Sequence, residues 1–252
     1  KKFALLSVLS LSVPLLILLN VIFFVYWLLQ VKKQLLLSLI VLVLGWSHIS
    51  GMYKFSGSTT ISDPDNIKVL SYNVRLFNIF NWIPNTPVKD DITAFISSQD
   101  PDIFSLQEYR RGDPIRLEGY NNFNATYTKN TRGGLAIFTK FPIVNSGSLE
   151  FPNTDNNAIF ADIKKGQDTI RVYNLHLQSA GIHTSVDSLK KEKSSDLFRQ
   201  VGKTFKAQQD QVEMFLKHKA KSNHKTIIMG DFNNTAFSYI YKEIKGDHFK
   251  DT

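Results

Sequence analysis

Two long stretches without a charged side chain lie at the start of this chain, and they limit its architecture more than anything that follows. No charge interrupts Phe3–Leu29, and the departures from apolar character are mild: Pro14, Asn20 and a few serines. A helix needs about 20 apolar residues to cross the hydrocarbon core, so this run is long enough with some tilt. After Gln30-Val31-Lys32-Lys33-Gln34 a second uncharged run extends from Leu35 towards Tyr53. Trp27, Trp46 and Tyr53 stand near the ends of the runs, where amphipathic rings favour the headgroup region. A buried core helix and a signal peptide are the competing readings, but both runs exceed a signal peptide's apolar region and no small-residue cleavage site follows. The expectation is a transmembrane helical hairpin over residues 1–54, with the lipid bilayer as partner.

Charge narrows the function classes. The net charge is +8, yet residues 1–54 hold five lysines and no acid, which leaves +3 for residues 55–252. Much of the basicity therefore flanks the expected membrane segment, where lysine meets anionic headgroups. A mild +3 is no electrostatic footprint for duplex DNA. With no cysteine, disulfides and thiolate metal sites are excluded. Lys32 and Lys33 balance Lys1 and Lys2, so the positive-inside count is a tie. One further helix upstream of Lys1 would place the rest on the extracytoplasmic side of an inner or plasma membrane.

Residues 55–66 (FSGSTTISDPDN) read as a linker, and 67–252 as one domain in which short apolar runs alternate with turn-rich segments. Strands are predicted over Ile67–Val74, Asp102–Glu108, Gly134–Lys140, Ala158–Ile163, Thr169–Leu177 and Lys225–Phe232. Thr86-Pro87 should open a helix over Val88–Ser98, with Thr86 as cap. Val201, Phe205, Gln208, Val212, Phe215 and Leu216 have helical spacing, and the polar segment from Ser179 to Gly202 reads as an exposed excursion. Mixed strands and helices fit an α/β class with sheets inside and helices outside.

Four strand ends deliver polar residues straight after apolar runs: Asn73, Glu108, the pair Asn174 and His176, and the pair Asp231 and Asn233. Residues two apart on a strand share a face. Each alone reads as a solvated or hydrogen-bonded strand end. Together they assemble carboxylate and amide oxygens of the kind that suit a hard cation such as Mg²⁺, with Mn²⁺ as a substitute. No His- or Cys-rich set supports structural zinc.

Ser-Tyr-Asn73-Val-Arg, Pro-Asp-Ile-Phe-Ser-Leu-Gln-Glu108, Gly-Gly-Leu-Ala-Ile-Phe-Thr-Lys-Phe-Pro-Ile (133–143), Asn174-Leu-His176-Leu and Gly230-Asp231-Phe-Asn233 stand in an order and spacing that resemble the endonuclease/exonuclease/phosphatase superfamily. The resemblance covers residues 67–252. It implies a four-layer α/β/β/α sandwich of the DNase I-like kind, expected over residues 67–252 without its C-terminal part. It also implies that Glu108 binds the divalent metal with Asn73 beside it, and that Asp231 orients or deprotonates the attacking water. Asn233 would then position Asp231 or the phosphate, and His176 would donate to the phosphoryl oxygens. Asn174 and Arg132 are its candidates on the substrate side, although local strand geometry is the favoured task for Asn174 and a plain surface arginine is the other reading of Arg132. The family's closing Asp-His motif has no counterpart here, because Asp247-His248 follows Asn233 too closely and reads as a surface loop.

The functional expectation is a membrane-anchored, metal-dependent hydrolase of phosphate mono- or diesters. Lipid headgroups or small phosphate esters are favoured over nucleic acid. The alternative is a catalytically silent membrane subunit that uses the fold as a docking surface for protein partners.

Overall fold

The computed structural model describes residues 9–46, 49–50, 63, 65–126, 133–181 and 194–251. It divides into two compact units, one of Ser62–Ser179 with Asp210–Asn233, the other of Lys1–Ile61, Ala180–Gln209 and Asn234–Thr252.

All eight described strands belong to the first unit. One sheet has the order β1 (Val69–Asn73), β2 (Ile103–Tyr109), β4 (Gly134–Thr139), β3 (Asn121–Thr126). The other runs β5 (Ile143–Ser148), β6 (Asn157–Lys165), β7 (Asp168–His176), β8 (Lys225–Asp231). β1 pairs parallel to β2 and β7 parallel to β8, so each of these pairs ends its strands at the same edge. The sheets face each other through Ile103, Leu135, Ile137, Ile159, Ala161, Ile163, Val172 and Met229, one shared core. On the outer face of the first sheet, helix α3 (Val88–Gln99) buries Ile92 and Ile96 against Phe104, Leu106 and Phe138. On the outer face of the second, Phe215 meets Tyr173 edge-on at 5.0 Å. Apolar residues at period two on both sides of a strand require cover on both faces, and this layering supplies it.

The predicted strands at 67–74, 102–108, 134–140, 158–163, 169–177 and 225–232 all form, with small shifts at their ends. β3 (NNFNAT) and β5 (IVNSGS) carry too little apolar alternation to be read from sequence. They are sheet edges, formed because β4 and β6 offer unpaired ladders. Thr86 is not the cap expected for α3. Pro87 takes that position without a side-chain bond, and the Thr86 hydroxyl donates to the Pro84 carbonyl instead. Asp90 and Asp91 in the first turn complement the positive end of the helix.

In the second unit, α1 (Val13–Leu29) and α2 (Leu35–Leu44) expose Leu29, Leu37 and Leu44 by 80, 72 and 79%. α1 has 17 residues and α2 has 10, and no helix among the described residues is long and apolar enough to cross a membrane. The expected transmembrane hairpin is thus unsupported, since a full crossing needs about 20 residues. The excursion expected through Gly202 is shorter than that, because α4 begins at Ser194 and runs to Lys219. A last helix, α5 (Tyr239–Lys245), is capped by the Ser238 hydroxyl, which accepts from the Tyr241 N–H at 3.1 Å.

A buried charge pair crosses β6 and β7. Arg171 donates to both oxygens of Asp162 at 2.7 Å, and Asn145 donates to one of them at 2.9 Å. Burial alone would raise the Asp162 carboxyl, but these donors outweigh it and hold it below its usual value. Removing one partner strands the other charge, so Arg171→Met should lower the unfolding free energy by about 3–5 kcal/mol in urea titration. Arg171→Met/Asp162→Leu should cost less than the single change.

His218 accepts from or donates to the Tyr173 hydroxyl at 2.9 Å. Burial, reinforced by the positive Arg171, pushes its imidazole below the ordinary value of 6.5. A base held neutral in the fold contributes stability above the unfolded pKa, and loses it as pH falls through the folded one. The thermal midpoint should drop below about pH 6.5, and His218→Gln should flatten that drop.

Candidate active site

The inter-sheet face changes character along its length. On β7 it reads Ile170, Val172, Asn174, His176; on β8, Ile227, Met229, Asp231; on β2, Ile103, Ser105, Gln107. Period two keeps each series on one face, so an apolar floor gives way to polar groups at the C-terminal ends of the parallel pairs. β1 and β2 place Asn73 opposite Gln107, and β7 and β8 place His176 opposite Asp231.

Strict alternation would send Glu108 to the other face. It does not, because Glu108 has φ +53 and the β2–β4 register shifts between Gln107 and Tyr109. This bulge swings the carboxylate round to Asn73. The Asn73 side-chain nitrogen donates to Glu108 Oε1 at 3.1 Å and to Asp231 Oδ2 at 3.0 Å. Two carboxylates from opposite sheets therefore lie within two hydrogen-bond lengths of each other. The orientation of the Asn73 amide is fixed, since its oxygen accepts from the Arg75 N–H at 3.0 Å.

The Gly-Asp-Phe-Asn segment works by backbone geometry. Gly230 has φ +142, and a Cβ there would lie 2.0 Å from the Leu175 carbonyl oxygen, so only glycine lets β8 approach β7 this closely. Asn233 lies beyond the strand at φ +48, in a turn rather than on the strand face expected for it. From there its N–H donates to Asp231 Oδ1 at 2.9 Å, and its amide donates to the Leu177 carbonyl at 2.9 Å. Both Asp231 oxygens are thus held, one from each side.

His176 is 6% exposed. Desolvation lowers its pKa, with Asp231 and Glu108 pulling the other way, so the neutral ring is favoured.

Asn174 corrects its assignment to the substrate side. It is fully buried, donates to the Leu106 and Ala136 carbonyls at 2.9 and 3.0 Å, and accepts from Gln107 at 2.7 Å. It is a clamp between the sheets. Gln107, 1% exposed and within bonding distance of Ser71 and Ser105 as well, went unnoticed in the sequence. Its signal was available: Ser105 and Gln107 repeat at period two inside an apolar strand. Arg132 lies outside the described residues. Asp247 and His248 lie in an exposed turn after α5.

Among the described residues, no group of three or more His, Asp or Glu side chains is arranged to hold a metal. The two converging carboxylates still fit a cation that keeps several of its waters, because Mg²⁺ needs only one or two from the protein.

A family model described as "Endonuclease/Exonuclease/phosphatase family" matches residues 70–249. The chain belongs to the endonuclease/exonuclease/phosphatase family. Its members are hydrolases that act on phosphoester bonds, and they typically use divalent metals. A second model, "Domain of unknown function (DUF8431)", matches residues 1–52. No curated protein matches the chain significantly. Similar solved structures include humanized D. rerio TDP2 with 14 mutations, at 15% identity and TM-score 0.46, covering 74% of this chain and 72% of that one. The human nocturnin catalytic domain with bound sulfate is 19% identical at TM-score 0.44, over 63% of this chain and 61% of its own. A beta toxin from Staphylococcus aureus is 16% identical at TM-score 0.48, over 71% of this chain and 70% of its own.

If Asn174 only joins the sheets, Asn174→Leu should destabilise the fold by about 1–3 kcal/mol for each buried group left without a partner. KM for a cleaved ester should stay within about twofold of the wild type, since no substrate contact is lost. Urea unfolding and steady-state kinetics check the two halves.

Proposed function

We propose that this protein is a divalent-cation-dependent phosphoesterase that hydrolyses phosphate mono- or diesters, lipid headgroups or small esters ahead of nucleic acid. The observation that supports it is the Asn73 amide bridging Glu108 and Asp231 at 3.1 and 3.0 Å. Two carboxylates drawn to one amide supply oxygens of the kind a hard cation takes.

Glu108 would hold the cation in this reading, with Asn73 beside it. A bound Mg²⁺ or Mn²⁺ would neutralise charge on the phosphoryl group. Asp231 orients the attacking water and takes its proton, its position held by the Asn233 N–H. His176, kept neutral by burial, donates to a phosphoryl oxygen as charge grows there.

A lipid surface is the setting favoured for this chemistry. The large exposed apolar side chains of α1 and α2 need an apolar surrounding, which a bilayer provides. Retention at that surface raises the effective concentration of esters in the same bilayer. The +3 charge on residues 55–252 gives little pull on a nucleic-acid backbone.

The full chain should release phosphate or p-nitrophenol from p-nitrophenyl phosphate or its bis ester, and EDTA should abolish the release. Glu108→Gln or Asp231→Asn should each lower turnover at least about a hundredfold, as expected for losing a metal ligand or general base. Equal rates in the wild type and both variants would rule the assignment out.

A further inference from the structure

No charged side chain lies between Arg75 and Lys89, and the apolar residues of that segment divide into two sets. Phe77 is buried, whereas Phe80, Trp82 and Ile83 are 55, 45 and 53% exposed. Their display is rigidly specified. Arg75, Leu76, Phe77 and Asn78 all hold positive φ, at 44, 53, 51 and 60°. Such a left-handed turn is costly for residues that carry a Cβ, so it persists only where its surroundings hold it. Phe77 holds one side, packed edge-on against Tyr109 at 5.8 Å. Asn78 closes the other: its amide nitrogen donates to the Ile83 carbonyl at 2.7 Å, and its oxygen accepts from the Ile83 N–H at 3.0 Å. Asn81 and Asn85, at φ +55 and +56, take the remaining left-handed positions, which asparagine tolerates.

At the tip, Phe80 and Trp82 meet edge to face at 5.0 Å, and the Arg75 guanidinium lies 4.6 Å from the Trp82 ring centre. The base of the tip is joined to the candidate site, because the Arg75 N–H donates to the Asn73 oxygen. The segment after β2 is tied to the same support: the Ile115 N–H donates to the Tyr109 hydroxyl at 3.2 Å, and Arg111 and Arg116 beside it are exposed.

We propose that the 80–83 tip inserts at the headgroup–acyl boundary of an anionic phospholipid bilayer and seats the Asn73–Glu108–Asp231 cluster over headgroup phosphates. The proposal rests on the lipid-surface reading above and gives it a contact. Trp and Phe favour that boundary, and Arg75, Arg111 and Arg116 complement anionic headgroups. A single-stranded nucleic acid fits less well. Ile83 has no ring face on which a base could stack, and a strand-tracking loop would carry cations along its length where this one has none.

The chain's composition makes the test direct, since it has three tryptophans and no cysteine. In the full chain, Trp27→Phe/Trp46→Phe leaves Trp82 as the sole emitter, and Trp46→Phe/Trp82→Phe leaves Trp27. Both proteins are placed in phosphatidylcholine/phosphatidylglycerol vesicles whose acyl chains are brominated either near the headgroup or near the bilayer centre. Trp82 should be quenched at least about twofold by the shallow bromines and less by the deep ones, as for an interfacial ring. A spin label on Ile83→Cys should show greater collision with oxygen than with a water-soluble nickel chelate. Trp82 left unquenched, or quenched only on adding a single-stranded oligonucleotide, overturns the proposal. Trp27 quenched in the same vesicles would then show that the hairpin's lipid contact survives and that the tip alone fails.

Discussion

One amide ties together two carboxylates that come from different sheets. The Asn73 N–H pair spans Glu108 from the first sheet and Asp231 from the second, while its oxygen is held by the backbone of Arg75. Each arm of this arrangement is set by a separate backbone device. Glu108 reaches the amide through a bulge in β2, and Asp231 through a strand brought close to β7 by Gly230. Asn233 fixes the remaining Asp231 oxygen from a left-handed turn. The carboxylates are therefore placed by strain and close approach, which only a well-packed scaffold can sustain.

The scaffold supplies this through a gradient. Strands that are apolar at their N-terminal halves and polar at their C-terminal ends build, from both sheets at once, a dry floor with a polar rim. Parallel pairing makes the gradient possible, because it brings two strand ends together at one edge instead of alternating them. His176 at this rim shows the chemical effect. Desolvation from the floor keeps its ring neutral even with two carboxylates close by.

Much of this could be read from the chain itself. Runs ending in Asn73, Glu108, His176 and Asp231 announced strand ends with a polar face, and the ordered motifs carried the family and the two-sheet architecture. Three things escaped for physical reasons. The edge strands 121–126 and 143–148 are made by their neighbours' unpaired ladders, not by their own side chains. The bulge at Glu108 breaks the alternation on which a face assignment depends. Asn174 reads from sequence as a substrate-side candidate or a holder of strand geometry, and its depth decides for the second while adding the grip across the sheets. The N-terminal runs read as long enough to span a bilayer, yet among the described residues the helices there have 17 and 10 residues.

The buried clamp has a mechanical consequence. Asn174 grips two carbonyls and a glutamine across the sandwich, so the two sheets cannot shear past one another without stranding all of these groups at once. Apolar side chains tolerate sliding, since one methyl contact replaces another, but a directional bond has a single address. The spacing of the polar edge is therefore gauged from inside the molecule, by a fully buried side chain.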